Sequence, residues 1–153
     1  MLTRRKWLQL TVAGAALGSA RRLFASELTG APIPITVYKS PTCGCCAKWV
    51  EHMKAGGFAV TVHDMDDVAP KKKELGVPEA LQSCHTGLVA GYTIEGHVPA
   101  DVVQQLVREK PKVAGLAVPG MPMGSPGMEM GRKDKYDVVA FEKGGKTHVY
   151  ASR

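Results

Sequence analysis

Three of the chain's four cysteines, Cys43, Cys45 and Cys46, lie within four consecutive positions. The C-x-x-C spacing of Cys43 and Cys46 is typical of a redox pair that cycles between dithiol and disulfide. Thiolates also bind soft metal ions, and a metal site would gain from the additional Cys45. The stretch YKSPTCGCCAKW therefore predicts either thiol–disulfide chemistry or a thiolate metal site.

The first 26 residues have the pattern of an export signal peptide. They begin with basic residues, continue with an apolar run of about 13 residues and end in small residues. The segment around Arg4 and Arg5 resembles a twin-arginine signal, which favours export to the periplasm. Because a membrane span needs about 20 apolar residues, we expect no stable span after cleavage, and an uncleaved anchor is the alternative. Cleavage after Ala20, Ala25 or Ser26 fits equally well.

Most of the chain's net charge of +6 belongs to this leader, which carries five of the 20 basic residues and none of the 14 acidic ones. The remaining chain is nearly neutral, so the composition predicts no nucleic-acid partner. We interpret the basic run Lys71–Lys73 as a solvated helix face.

Export places the cysteines in an oxidising compartment, where thiols readily form disulfides. Two structural disulfides in an adaptor domain are therefore the simplest interpretation of four cysteines. The crowding argues against it, because neighbouring Cys45 and Cys46 cannot easily bridge each other and a Cys43–Cys45 bridge would be strained. Bridges that fit disulfide geometry are Cys43–Cys46 or a long-range bond to Cys84.

The elements that must position the cysteines follow from hydrophobic periodicity and from Gly and Pro punctuation. Thr42 is the expected N-cap of the cysteine-bearing helix, whose buried face should include Cys46, Trp49, Val50 and Met53. In chain order the pattern predicts a strand over 35–38, a helix over 45–55, a strand over 58–63, a helix over 68–75, a helical turn over 79–82, a loop over 83–86, one or two strands within 87–95, a helix over 100–109, a loop over 115–131 and a hairpin of strands 137–142 and 147–151.

Alternating strands and helices favour a sheet with helices packed on it. A strand that leads into a cysteine-bearing helix start is the thioredoxin-like arrangement. The sequence therefore predicts an α/β, thioredoxin-like domain over residues 27–153, with a mixed sheet, flanking helices and a C-terminal β-hairpin. In such a fold the loop before the third strand lies against that helix start, which would bring Cys84 to the other three cysteines.

Unpaired N–H groups and the helix dipole favour thiolates at this helix start. Soft thiolates and thioethers select Cu(I), and crowded cysteines suit one or more Cu(I) ions that share sulfurs. Zinc is the less favoured ion, because it typically takes four tetrahedrally spread ligands.

Histidines and methionines extend the candidate ligand set. His85 adjoins Cys84, and His97 faces either the site or solvent. His52 is expected on a helix surface, and His63 and His148 are expected to be structural. Thioethers in a Gly- and Pro-rich loop have no core to fill, which favours a ligand role over packing. The loop methionines are Met121, Met123, Met128 and Met130.

Three stretches, SPTCGCCAKWVEHM, SCHTGLVAGYTIEGHVPADVV and GLAVPGMPMGSPGME, resemble the signatures of a bacterial family of unknown-function domains predicted to bind metal, which includes the CopG copper-resistance proteins. The resemblance runs from about Ile35 to Ser152. It implies a thioredoxin-like fold, periplasmic export and copper bound by Cys43, Cys45, Cys46 and Cys84. The family's loop pattern covers Met121 and Met128, whereas Met123 falls at its open position and Met130 beyond it.

The leading hypothesis is a periplasmic Cu(I)-binding protein for copper handling and resistance, which would exchange copper with other periplasmic copper-handling proteins. Its metal ligands would be Cys43, Cys45, Cys46 and Cys84, with His85, Met121 and Met123 in support. The alternative is a thiol–disulfide or copper-linked oxidoreductase in which Cys43 attacks and Cys46 resolves. The third thiol argues against that alternative, as does Cys84-His85-Thr86 in place of the proline expected before the third strand.

Overall fold

The computed structural model describes residues 30–153, so the predicted signal peptide lies outside the described residues. These residues form seven strands and three α-helices. The strands are β1 (Ile33–Lys39), β2 (Phe58–Asp64), β3 (His85–Val89), β4 (Tyr92–Gly96), β5 (Gly115–Val118), β6 (Asp137–Phe141) and β7 (Thr147–Ser152). The helices are α1 (Gly44–Ala55), α2 (Ala69–Glu74) and α3 (Ala100–Glu109), and a 3₁₀ turn spans Glu79–Leu81.

All seven strands belong to one mixed sheet, in the order β2-β1-β3-β4-β5-β6-β7. The pairs β1/β2 and β4/β5 are parallel, and the other neighbours are antiparallel. The predicted α/β class, mixed sheet and C-terminal hairpin are therefore confirmed.

One face of the sheet carries the hydrophobic core, which includes Ile35, Ile94 and Leu116 from the strands. Helices α1 and α3 cover this face, and their buried side chains include Trp49, Val50, Met53, Val102, Val103 and Leu106. Because strand side chains alternate between faces, Thr93 and Glu95 point to the opposite face, where α2 lies. There Thr93 donates a hydrogen bond to the carbonyl of Leu75 at 3.0 Å.

The N-cap of α1 is Cys43 rather than the predicted Thr42, and its sulfur accepts a hydrogen bond from the N–H of Cys46 at 3.3 Å. The prediction is wrong because serine and threonine are the usual caps, whereas here the sulfur of a cysteine takes that place. The cysteine that begins the C-x-C-C motif is thereby fixed at the helix N-terminus. The predicted buried face of α1, formed by Cys46, Trp49, Val50 and Met53, is confirmed.

Two predicted loops contain strand residues. His85 and Thr86 begin β3, because His85 pairs with Lys39 at the end of β1. Residues 115–118 form β5, which lies between β4 and β6 and is fully buried. A four-residue apolar run that begins with glycine is too short to indicate a strand by its own periodicity. β3 begins at the candidate site and β5 leads into the segment beside it, so these strands fix residues that the sequence placed in loops.

Among residues 30–153, no helix is both long and apolar enough to cross a lipid bilayer.

Candidate metal centre

The four cysteines converge at the N-terminus of α1, as predicted. Cys43 caps the helix, and Cys45 and Cys46 lie in its first turn. Cys84 immediately precedes β3, whose antiparallel pairing with β1 places it beside the end of the strand that leads into α1. All four Sγ atoms lie within 4.8 Å of one another. The topology thus brings together sulfurs that are about 40 residues apart in the chain.

The cluster is seen in an oxidised form, because a disulfide joins Cys43 to Cys46. Cys45 and Cys84 are free thiols, and both are half-buried. The sulfur of Cys45 lies 3.5 Å from that of Cys43. Of the bridges considered from the sequence, the C-x-x-C pair is the one that forms, and it leaves two sulfurs available as thiols.

Two buried histidines face the remaining side of Cys84. The Cys84 sulfur lies 3.3 Å from His85 Nδ1 and 3.1 Å from His97 Nε2. His97 donates from Nδ1 to the carbonyl of Pro126 at 2.7 Å, which leaves the Nε2 lone pair directed at Cys84. The sequence left the orientation of His97 open, and the structure turns it into the site.

Burial controls the protonation of these groups. Burial, with a smaller contribution from the neighbouring Cys45, raises the pKa of the Cys84 thiol to about 11. Burial also lowers the pKa of His85 well below its usual value, with a further contribution from His97. Burial lowers the pKa of His97 as well, although its bond to Pro126 opposes that shift. Near neutral pH the metal-free site therefore presents a Cys84 thiol beside two uncharged imidazoles.

Trp49 supports the site from the core. It is fully buried, and its Nε1 donates to the carbonyl of Val98 at 2.9 Å. Its ring lies 4.3 Å, centroid to centroid, from the ring of His85. Because Trp49 lies one turn after the cysteine motif, it links the helix start to the histidine side of the site.

A buried ion pair positions the Cys84 segment from the opposite face of the sheet. Lys72 Nζ lies 2.6 Å from Glu95 Oε1, and this oxygen also accepts a hydrogen bond from the backbone N–H of Ser83 at 2.6 Å. The second carboxylate oxygen accepts from the Thr86 hydroxyl at 2.6 Å. Glu95 thereby holds the residues on both sides of Cys84 and His85.

This ion pair corrects the interpretation of Lys71–Lys73 as a solvated face, because Lys72 is only 6% exposed. Sequence reasoning also missed Glu95. The signal in the sequence was a glutamate next to apolar Ile94 in a short strand. If that strand is buried, the carboxylate needs a partner, because a charge is rarely fully buried without one.

The Gly/Pro/Met segment after β5 covers the cysteine cluster. Met121 Sδ lies 4.0 Å from Cys45 Sγ, and Met121 is 51% exposed. Within the described residues we find no such sulfur contact for Met123, Met128 or Met130. A ligand role for Met123 stays a prediction without a contact to support it.

Hydrogen bonds attach this methionine segment to the site at two points. The Ser83 hydroxyl donates to the carbonyl of Gly120 at 2.6 Å, and His97 donates to Pro126. Gly127 has a φ of +91°, and a Cβ placed there would lie 2.7 Å from the carbonyl oxygen of Cys45. The chain can approach the start of α1 this closely because residue 127 has no side chain.

The other histidines lie away from the cysteines. His52 was expected on a helix surface, but it is half-buried and its Nε2 accepts a hydrogen bond from the backbone N–H of Ala100. His63 stacks on Tyr38, with ring centroids 5.4 Å apart, and His148 is exposed on β7. The contacts of His52 and His63 agree with structural rather than ligand roles, and the structural role expected for His148 stays a prediction.

The family model described as "Protein of unknown function, DUF411" matches residues 81–128. No curated protein matches the chain. Two solved structures, "Copper resistance protein copG- Form 1" and "Copper resistance protein copG- Form 2", are 48% and 47% identical to it. Each match covers 80% of this chain and 98% of the solved chain, with TM-scores of 0.75 and 0.76. The chain that carries this four-cysteine cluster therefore belongs to the DUF411 family, which includes the CopG copper resistance proteins.

Proposed function

We propose that this protein binds Cu(I) in the periplasm and contributes to copper handling and resistance, with Cys43, Cys45, Cys46 and Cys84 as ligands. The convergence of the four sulfurs within 4.8 Å carries this proposal. Sulfurs this close can share ions, and Cu(I) is the soft ion that such a donor set selects.

The surroundings of the cluster also suit a soft cation. Met121 adds a thioether at the exposed side next to Cys45, and His85 adds an imidazole at the buried side next to Cys84. No hard carboxylate ligand is needed from either side. Zinc remains the less favoured ion for the reduced cluster, because the three helix-start cysteines are too crowded for one evenly spread tetrahedral set.

Binding by all four thiolates requires the Cys43–Cys46 bridge to be open. Reduction by a dithiol adds two electrons and two protons, converts the bridge into two thiols and leaves the reductant as a disulfide. Each thiol that then binds metal loses its proton. The copper-loaded protein is therefore derived from the reduced state, and the bridged state is its oxidised counterpart.

Other parts of the proposal rest on sequence and comparison. The leader pattern of residues 1–26 supports the periplasmic location, and the names of the two solved relatives support the role in copper resistance. The sheet order β2-β1-β3-β4 and the cysteine pair at the start of α1 support a thioredoxin-like assignment for this part of the fold.

Anaerobic titration of the reduced protein with Cu(I), in competition with a Cu(I) chelator, tests the proposal. We expect at least one equivalent of Cu(I) to bind, and Cys45→Ser to lower the affinity at least tenfold because one sulfur is lost. Met130→Leu is the matched control, since it removes an exposed sulfur outside the cluster. Less than one equivalent in the wild type, or an unchanged affinity in Cys45→Ser, would contradict the proposal.

A second candidate function is thiol–disulfide exchange, which the observed Cys43–Cys46 bridge at a helix N-terminus favours. In this reaction Cys43 attacks a substrate disulfide and Cys46 resolves the mixed disulfide, so that the substrate is reduced and the bridge forms. Insulin reduction driven by a dithiol measures it. Activity that requires Cys43 and Cys46 but not Cys45 or Cys84 would favour this function over metal binding.

A further inference from the structure

Cys84, His85 and His97 form a compact donor set of one sulfur and two imidazoles. One ligand atom from each residue lies within 4.8 Å of the others. The two separations from Cys84 Sγ, 3.3 Å to His85 Nδ1 and 3.1 Å to His97 Nε2, are close to the roughly 3.3–3.8 Å between ligand atoms that lie about 2.0–2.3 Å from a single tetrahedral metal. None of the three residues takes part in the Cys43–Cys46 bridge.

His97 has the arrangement of a metal-binding histidine. Its Nδ1–H is committed to the Pro126 carbonyl, which fixes the tautomer and the ring orientation. The opposite nitrogen, 3.1 Å from the Cys84 sulfur, is then free to donate a lone pair. Histidine ligands of metals characteristically use one nitrogen for the ion and the other for such a carbonyl bond.

His85 supplies the third donor. Its side chain is fully buried, and the nitrogen that an ion beside the Cys84 sulfur would meet is Nδ1, 3.3 Å from that sulfur. The ring lies between Trp49 and His97, and its Nδ1 already faces Cys84.

We propose that the oxidised protein retains a metal site at Cys84, His85 and His97, and that this site takes a borderline divalent cation such as Zn(II) in place of Cu(I). This inference deepens the proposed function, on which it rests for the role of the reduced cluster. Formation of the bridge removes two of the four thiolates from a metal's reach. The Cys45 and Cys84 thiols remain, and at Cys84 two imidazole nitrogens complete a mixed donor set that suits Zn(II) and its spectroscopic substitute Co(II).

The state of the Cys43–Cys46 pair would then select the class of ion. The reduced pair gives a sulfur-rich site for a soft monovalent cation. The bridged pair gives a site with one sulfur and two nitrogens for a borderline divalent cation. The two sites share Cys84, so the protein exchanges one kind of ion for the other when the pair changes state.

Titration of the purified protein with Co(II), with the bridge intact and no reductant present, tests the inference. We expect about one equivalent to bind, with visible d–d bands and a near-ultraviolet sulfur-to-cobalt charge-transfer band, and Zn(II) to displace the cobalt. Cys84→Ser should abolish the charge-transfer band. His97→Asn, which keeps an N–H for Pro126 but loses the ligand nitrogen, should weaken Co(II) binding at least tenfold.

His148→Asn is the matched control, because it removes an exposed histidine on β7 and should leave the titration unchanged. Cys45→Ser should retain the charge-transfer band, since the site does not include Cys45. Far-ultraviolet circular dichroism verifies that each variant is folded. If His97→Asn fails to fold, Cys84→Ser still tests the inference, because it changes only one half-buried atom. Absence of Co(II) binding, or a charge-transfer band that survives Cys84→Ser or disappears in Cys45→Ser, would overturn the inference.

The Cu(I) titration of the reduced protein keeps the two proposals separable. Co(II) binding to the bridged form without Cu(I) binding to the reduced form would contradict the proposed function and support a metal site at Cys84, His85 and His97. The reverse result would overturn the inference and leave the copper proposal in place.

Discussion

Lys72 Nζ lies 2.6 Å from Glu95 Oε1, and the two side chains are only 7% and 0% exposed. The pair connects α2 to the end of β4, and through Ser83 and Thr86 it holds both sides of the Cys84–His85 segment. A buried charge pair of this kind is costly to break, because removal of one charge leaves the other uncompensated. The stability of the protein and the position of Cys84 therefore depend on the same contact.

Glu95→Gln should destabilise the protein by about 3 kcal/mol, since it leaves the Lys72 ammonium buried without an opposite charge. Urea unfolding with the disulfide intact measures the change. The matched control is Glu51→Gln, which breaks an exposed pair with Lys54 (3.0 Å) and should cost less than about 1 kcal/mol. An equal loss of unfolding free energy in the two variants would show that the buried pair stabilises the protein no more than the exposed pair does.

Gly127→Ala should separate the methionine segment from the start of α1. Its Cβ would lie 2.7 Å from the carbonyl oxygen of Cys45 and 3.1 Å from the backbone nitrogen of Trp49. Gly131→Ala is the control, because Gly131 has a similar φ of +83° but nothing within 4 Å of the added atom. Both variants carry backbone strain of about 1–2 kcal/mol. Only Gly127→Ala should also weaken Cu(I) binding, measured by chelator competition, and comparable affinities would contradict this role of Gly127.

Cys84 should react slowly with iodoacetamide near neutral pH, because burial raises its pKa to about 11 and the thiolate is the reactive form. The variant Cys43→Ser/Cys45→Ser/Cys46→Ala keeps Cys84 as the sole cysteine. Burial, the largest cause of the raised pKa, persists in this variant while the smaller contribution of Cys45 is lost, so the alkylation rate of the folded protein should still be rising at pH values where the rate in urea has levelled off. In urea it should level off near pH 8.5, the ordinary value for a cysteine. Levelling off at the same pH in both states would contradict the raised pKa.

Met121→Leu should weaken Cu(I) binding severalfold without changing the number of ions bound, because the thioether lies at the edge of a cluster that retains its four thiols. Met130→Leu removes a methionine that is similarly exposed, at 58% against 51%, and it should leave the affinity unchanged. Chelator competition on the reduced variants makes the comparison. If both substitutions have the same effect, Met121 has no specific role at the cluster.

Local sequence patterns predicted the parts of the fold whose signals are local. The apolar spacing in α1, the β-branched residues of β1 and the turn between β6 and β7 each identify their element. The short strand β5 was missed because its burial comes from pairing with β4 and β6, which are distant in sequence. Strand pairing of this kind leaves no periodic signal in four residues.

The candidate site was predictable to a similar degree. Spacing identified Cys43, Cys45 and Cys46, and the expected position of the loop before the third strand brought Cys84 to them. The orientation of His97 depends on its bond to Pro126, about 30 residues later, and the burial of Lys72 depends on Glu95. Such side-chain partnerships join residues that are distant in sequence, so composition and local spacing cannot indicate them.

The Cys43–Cys46 disulfide has a practical consequence for anyone who prepares this protein in air. Ellman's reagent applied to an aerobic sample should report two thiols per chain rather than the four in the sequence. A copper loading measured on that sample would describe a protein with two of the four proposed cysteine ligands joined in the disulfide. Handling in a glove box after reduction would restore the full set.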